Sequence, residues 1–136
     1  MNIFGIGSDL IEVDRIKNAI ESHPRFLKKI YTEKEINYCE MKSKNRFQSY
    51  ASRFAGKEAV AKSVHQGLGK FLFFNEIEIL DNDYGSPFVS VHGLTYFYFL
   101  TNNIADTKIT LSSTRSFCLA YAISLIKKEG QKNERF

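Results

Sequence analysis

One stretch of this sequence has little freedom in what it becomes. Across residues 46–65, Phe47, Tyr50, Ala51, Phe54, Ala55, Ala59 and Val64 recur at helical spacing and make one broad apolar side. Gly67 and Gly69 follow, where such a helix can end. Small residues at 55, 56, 59 and 61 leave room for a close neighbour. Gly56 costs roughly 1 kcal/mol relative to alanine inside a helix, so its presence argues for tight packing or for the approach of a ligand.

The remaining segments are read around that helix. Residues 2–9 read as a β-strand in which Ile3, Phe4 and Ile6 are interleaved with Gly5 and Gly7, with Asp9 near its exit. Ile16, Ala19 and Ile20 predict a helix that His23-Pro24 interrupts, and Phe26, Leu27 and Ile30 a short second one. Thr32-Glu33-Lys34-Glu35 has the form of a capping box opening a third helix to about Met41. Ile77 and Ile79 alternate with Glu76 and Glu78, and the turn-rich 81–85 leads to Phe88-Val89-Ser90-Val91, a β-hairpin. Residues 94–100 predict a buried aromatic helix ending at Asn102-Asn103. Residues 108–112 and 117–126 predict two closing strands, the second open to a helical reading because Ala120 and Ala122 have weak strand preference. The expectation is an α+β fold of order β-α-α-α-β-β-α-β-β, one domain over 1–126 with a polar tail over 127–136.

With 136 residues, 43% of them apolar and 14% aromatic, one compact core is sustainable. Cys39 and Cys118 have neither CxxC spacing nor a nearby histidine pair, so free thiols in a reducing cytoplasm are expected. No charged segment leads into an apolar one at the start and no run of about 18 apolar residues occurs, so neither a secretory leader nor a membrane span is expected. Net charge is +4, and Arg25, Lys28, Lys29, Lys42, Lys44 and Arg46 crowd the span between Arg15 and Arg53. That favours an anionic partner, be it nucleic acid, an acidic protein or a phosphorylated ligand, without choosing among them.

Two segments stand out chemically: Gly5-Ile6-Gly7-Ser8-Asp9, followed by Glu12 and Arg15, and Arg53-Phe54-Ala55-Gly56-Lys57-Glu58-Ala59-Val60-Ala61-Lys62. Four apart on a helix, Glu58 and Lys62 share a face and can address one ligand, or form a solvated ion pair worth about 0.3–0.5 kcal/mol. An isolated Asp9 at a strand end suits a helix cap as readily as a metal ligand. The two segments together are what points to a site.

Extended to Gly5-Ile6-Gly7-Ser8-Asp9-Leu10-Ile11-Glu12-Val13-Asp14-Arg15-Ile16, the first segment, with the second, resembles the two signature stretches of bacterial holo-acyl-carrier-protein synthases, the small trimeric branch of the 4′-phosphopantetheinyl transferases. Further similarity runs through Arg25-Phe26 to Glu35, Gly67-Leu68-Gly69, residues 75–80, Gly85-Ser86-Pro87 and residues 109–122. The resemblance implies transfer of 4′-phosphopantetheine from coenzyme A to a serine of apo acyl carrier protein, in fatty-acid biosynthesis, by a cytoplasmic homotrimer with active sites at its interfaces. It implies Asp9 and Glu58 as Mg²⁺ ligands, Lys62 facing the coenzyme phosphates, and Glu58 as the base for the serine proton. Two carboxylates completed by diphosphate oxygens and water suit Mg²⁺.

Coenzyme contacts are expected from Arg53, from a Gly67-Leu68-Gly69 turn that either offers amides or simply ends the helix, and from Gly85 and Pro87, in a segment a plain turn would also explain. The basic residues Arg15, Arg25, Lys28 and Lys29 would dock the acidic carrier protein. Neither nucleic acid nor a membrane is expected as a partner. Ser113 stands where many relatives carry histidine, and His65-Gln66 where small residues are usual, which leaves the contacts there open. Two other classes fit the residues: an RNA-binding module using Phe71, Phe73, Phe74 and Tyr96 to Phe99 as a stacking platform, and a Mg²⁺-dependent phosphohydrolase built on the same carboxylates.

Overall fold

The computed structural model describes residues 2–127. The expected Lys127–Phe136 tail lies, past its first residue, outside the described residues. Strand β1 (Asn2–Glu12) leads into α1 (Val13–Ser22), α2 (Phe26–Ile30), α3 (Glu33–Glu40) and the long α4 (Arg46–Ser63). The hairpin β2 (Ile77–Asp81) and β3 (Pro87–Val91) follows, then α5 (Gly93–Thr101), β4 (Ile104–Ser113) and β5 (Phe117–Ile126). Four helices separate β1 from the hairpin, one more than the expected element order, although all four segments were read as helical, the five residues Phe26–Ile30 among them.

The main sheet is antiparallel with order β1-β5-β4, and β2-β3 makes a separate two-stranded sheet. In β5 burial alternates strictly, with Cys118, Ala120, Ala122 and Ser124 inward, which is the period of a strand and not of a helix. Alanine is used there because α4 lies directly over the central strand and leaves no room for more. β1 does not end at Asp9 but continues to Glu12, with Asp9 paired to Ala120.

One face of β1 carries Gly5, Gly7, Asp9 and Ile11, and it is this face that meets α4. A Cβ at Gly7 would run into Ala59 O and sit 2.7 Å from Lys62 Cβ and 2.8 Å from Ser63 N. Gly5 is similarly closed off by Ser63 O and the His65 ring. Glycine at both positions therefore lets the helix backbone come down onto the strand, and the next residue on that face is Asp9.

Against the sheet, α4 presents Ala51, Ala55 and Ala59, all fully buried. A chain of buried hydroxyls, Ser63 to Ser124 and Ser124 to Thr107, each 2.7 Å, crosses from α4 through β5 to β4. The α3 capping box forms as read, with Thr32 Oγ1 accepting from Glu35 N and Glu35 Oε1 from Thr32 N.

α4 ends at Ser63, before either glycine. His65 takes the left-handed conformation (φ 62°), its N–H reaching Lys62 O and the Gln66 N–H reaching Ala61 O, a Schellman closure. α5 is less buried than expected: Thr95 and Phe99 are inside, but Leu94 and Phe97 are more than 60% exposed. Phe99 is in the core and Phe74 stacks on Phe54, so the aromatic platform an RNA-binding module would need is split between interior and surface. Among the described residues no helix is long and apolar enough to cross a membrane.

Candidate active site

The close seating of α4 on β1 brings together three of the residues singled out in the sequence. Lys62 Nζ donates to Ser8 O at 2.9 Å and pairs with Asp9 Oδ1 at 3.4 Å. Asp9 is mostly covered, its side chain 19% exposed, while the Lys62 side chain remains 54% exposed and free to turn toward a ligand.

Glu58 lies one turn before Lys62, half-buried. Burial raises its carboxyl above the ordinary value, the nearby Asp9 charge raises it further, and Lys62 and Arg15 pull the other way. Asp9 is also raised by burial, with Lys62 and Arg15 again opposing. Two carboxylates each penalised by loss of water, one also by the other's charge, form a pair that a cation would relieve.

The donor set fits a hard divalent ion of the Mg²⁺ type. Among the described residues no group of three or more acidic, histidine or cysteine side chains is gathered, so the chain itself brings two carboxylates. Mg²⁺ is commonly held in this way, by one or two carboxylates with substrate phosphates and water completing the octahedron.

The other expected site residues are more scattered. Arg53 is 5% exposed, its guanidinium 3.3 Å from Asp81 Oδ1 and stacked 4.2 Å over the Tyr38 ring, with Nε making no hydrogen bond. Gly69 spends its N–H internally on Leu72 O at 2.7 Å, whereas Gly67 borders open space. Gly85 holds a left-handed turn (φ 78°) in a loop braced by Asn82 Oδ1, which accepts from Tyr84 N and Ser86 N. Pro87 lines a cleft of about 280 Å³ between β3 and β4. Arg25, Lys28 and Lys29 are exposed on and before α2. Arg15, exposed on α1, is set apart from them by acting on both site carboxylates.

Sequence reasoning missed two features. A polar basin of about 620 Å³ is lined by Lys17, Lys44, Asn45, Gln48 and Arg115. Beside it Gln48 Nε2 donates to Ser113 Oγ at 3.0 Å and Thr114 O at 2.9 Å. The second feature is Lys57, wholly buried and paired to Glu35 Oε1 at 2.7 Å. Its position in the motif gave no sign that it would turn inward.

Comparison with known proteins places this arrangement. Residues 5–122 match the family model described as the 4′-phosphopantetheinyl transferase superfamily. The holo-[acyl-carrier-protein] synthase of Ruminiclostridium cellulolyticum is 44% identical over 119 residues, 87% of this chain and 89% of that protein. That of Chlamydia felis is 39% identical over 93% of this chain and all of its own length. Among solved structures, the Bacillus anthracis holo-(acyl-carrier-protein) synthase in complex with CoA (3′,5′-ADP) superposes with a TM-score of 0.74 at 31% identity, covering 90% of this chain and 96% of that one. The Plasmodium yoelii holo-ACP-synthase gives 0.83 at 27% identity, covering 93% and 98%.

Proposed function

Because the chain belongs to the 4′-phosphopantetheinyl transferase superfamily, we propose that it is a holo-acyl-carrier-protein synthase, moving 4′-phosphopantetheine from coenzyme A onto a serine of apo acyl carrier protein. The serine oxygen forms a new bond to the β-phosphorus, the bond from that phosphorus to the 3′,5′-ADP oxygen breaks, and the serine proton leaves with a base. The observation that carries the site is the meeting of Asp9, Glu58 and Lys62 where α4 rests on β1.

Each residue has a role its surroundings suit. Asp9 and Glu58 would hold Mg²⁺, which when bound neutralises charge on the diphosphate and the leaving oxygens. Glu58 takes the serine proton. Its half-buried carboxylate, one turn before Lys62 on α4, stands where a serine brought to the phosphates could pass its proton. Lys62 turns its exposed ammonium to the phosphates and offsets the negative charge that builds on them. Gly67, Gly69, Gly85 and Pro87 would border the coenzyme, and Arg53 would join from its place beside Asp81.

The fold also supports a homotrimer with shared sites. The face of the main sheet turned away from α4 carries Ile6, Leu10, Phe117, Leu119, Tyr121 and Ile123, each at least 37% exposed. Cross-strand pairs Ile6 to Ile123 and Leu10 to Leu119 make these residues one continuous apolar surface, which soluble chains rarely leave open. Copies of the chain packed on it would set one protomer's carboxylates beside another's hairpin and basic helices, with the cytoplasm supplying coenzyme and carrier protein.

The deciding experiment incubates the protein with coenzyme A, Mg²⁺ and apo carrier protein and weighs the carrier protein by mass spectrometry. Gain of one phosphopantetheine is expected from the wild type and none from Glu58→Gln, with the fold unchanged by circular dichroism. A carrier protein left unmodified while coenzyme A is hydrolysed would replace this reading with a phosphohydrolase.

A further inference from the structure

The surface α4 turns to the sheet is low in relief: Ala55 and Ala59 are fully buried, Gly56 faces Ile109 and Leu111, and Ser52 and Ser63 reach Cys118 and Ser124. Alanines pack closely but give no knobs to resist sliding or rotation, and a shift of one residue turns a helix by about 100°. Ser63 bonds α4 to the sheet on one side of the helix; a directional anchor on another side is what fixes its rotation and so which way Glu58 points.

That role falls to its neighbour. Lys57 is wholly buried, and its Nζ donates to Glu35 Oε1 at 2.7 Å, to Phe74 O at 2.8 Å and to Ile77 O. All three donors are used and all three acceptors belong to other elements. The carboxylate is itself fixed: Glu35 Oε1 accepts from Thr32 N at the start of α3, and Oε2 accepts from Ile79 N at 2.9 Å in β2. The two carbonyls belong to the first residue of the short turn Phe74–Glu76 and to the residue just after it, and Glu76 in turn caps α5 by accepting from Thr95 N at 3.0 Å. α4 is thus tied at one point to α3, β2 and the turn that starts the hairpin.

We propose that Lys57 is a positioning residue for the transfer reaction: its buried three-way hydrogen bonding sets the rotation of α4 and so aims Glu58, one residue on, at Asp9. The proposal rests on the reading of Asp9 and Glu58 as the cation's ligands. It adds to that reading a residue that touches neither the cation nor coenzyme A.

Mn²⁺ is the probe, its binding in the presence of coenzyme A measured by electron paramagnetic resonance alongside thermal melting and the transfer rate. Lys57→Met leaves Glu35 buried without its counter-charge and is expected to lower the melting temperature. Lys57→Met with Glu35→Gln removes the stranded charge, so melting should recover toward wild type. Mn²⁺ affinity should not recover with it, remaining about tenfold to a hundredfold weaker with a matching fall in kcat. A double variant that melts near wild type and binds Mn²⁺ with wild-type affinity would overturn the proposal, as would failure of both variants to fold, since Lys57 would then serve folding alone. A wild-type protein whose Mn²⁺ binding is unaffected by Asp9→Asn would instead overturn the site itself, which separates the two failures.

Discussion

Gly7→Ala isolates the contact on which the site is built. The added methyl group lies 2.7 Å from Lys62 Cβ and 2.8 Å from Ser63 N, and closer still to Ala59 O. Unstrained carbon contacts begin near 3.5 Å, so strand and helix must part by roughly 1 Å. None of the three atoms can swing aside, since two are helix backbone and the third is a Cβ. Overpacking of this kind costs about 1–3 kcal/mol, against a total stability on the order of 5–15 kcal/mol for a domain. The variant should therefore stay folded at 25 °C while melting several degrees lower. Transfer should suffer more, because a shift of about 1 Å between Asp9 and Glu58 can cost on the order of a hundredfold in rate. The assay is steady-state transfer at saturating coenzyme A over a Mg²⁺ titration, with circular dichroism on the same samples. Glu21→Ala is the control, an exposed position on α1 away from the site. Wild-type turnover by a folded Gly7→Ala, or equal losses in both variants, would refute the argument that backbone contact sets the site.

The carboxylate pair predicts a pH effect of definite sign. Asp9 and Glu58 are both raised, so in the metal-free protein their contribution favours folding below the ordinary carboxylate range and is lost as pH climbs through the raised values. Mg²⁺ with coenzyme A should accordingly raise the melting temperature more at pH 8 than at pH 5; an increment that does not vary with pH would contradict it. Ile6→Glu with Tyr121→Glu should yield monomers by analytical ultracentrifugation and lose transfer, whereas a variant that sediments as monomer yet transfers normally would remove the shared site. Charge reversal at Arg25, Lys28 and Lys29 should raise KM for the carrier protein with little change in KM for coenzyme A and flatten the salt dependence; unchanged carrier KM would exclude this docking face.

How much of this was legible in the sequence depended on whether a residue's role was local. Gly5, Gly7 and the small residues of α4 announced a close contact, and Asp9, Glu58 and Lys62 stood out by motif. The start of β4 was not legible: Ala105 and Asp106 are poor strand formers, and a register shift falls between Ile104 and Asp106, so nothing local distinguishes 104–107 from loop. Ala120 and Ala122 left β5 open until α4 was seen lying over it. Lys57 looks like any solvated helix lysine because its partner Glu35 is 22 residues away and already explained as a cap. The helical stretch was read as ending at His65, but not in the left-handed conformation His65 takes, which costs energy that glycine would not; its Nε2 donates to Phe4 O at 2.9 Å, a compensation formed only in the fold.

Crystals grown with coenzyme A and Mn²⁺ would test the central claim most directly, through the anomalous signal of the metal. The account requires one Mn²⁺ within about 2.0–2.3 Å of an Asp9 oxygen, a Glu58 oxygen and the coenzyme diphosphate together. Mn²⁺ held by only one of these carboxylates, or found on the diphosphate with both carboxylates turned away, would contradict it.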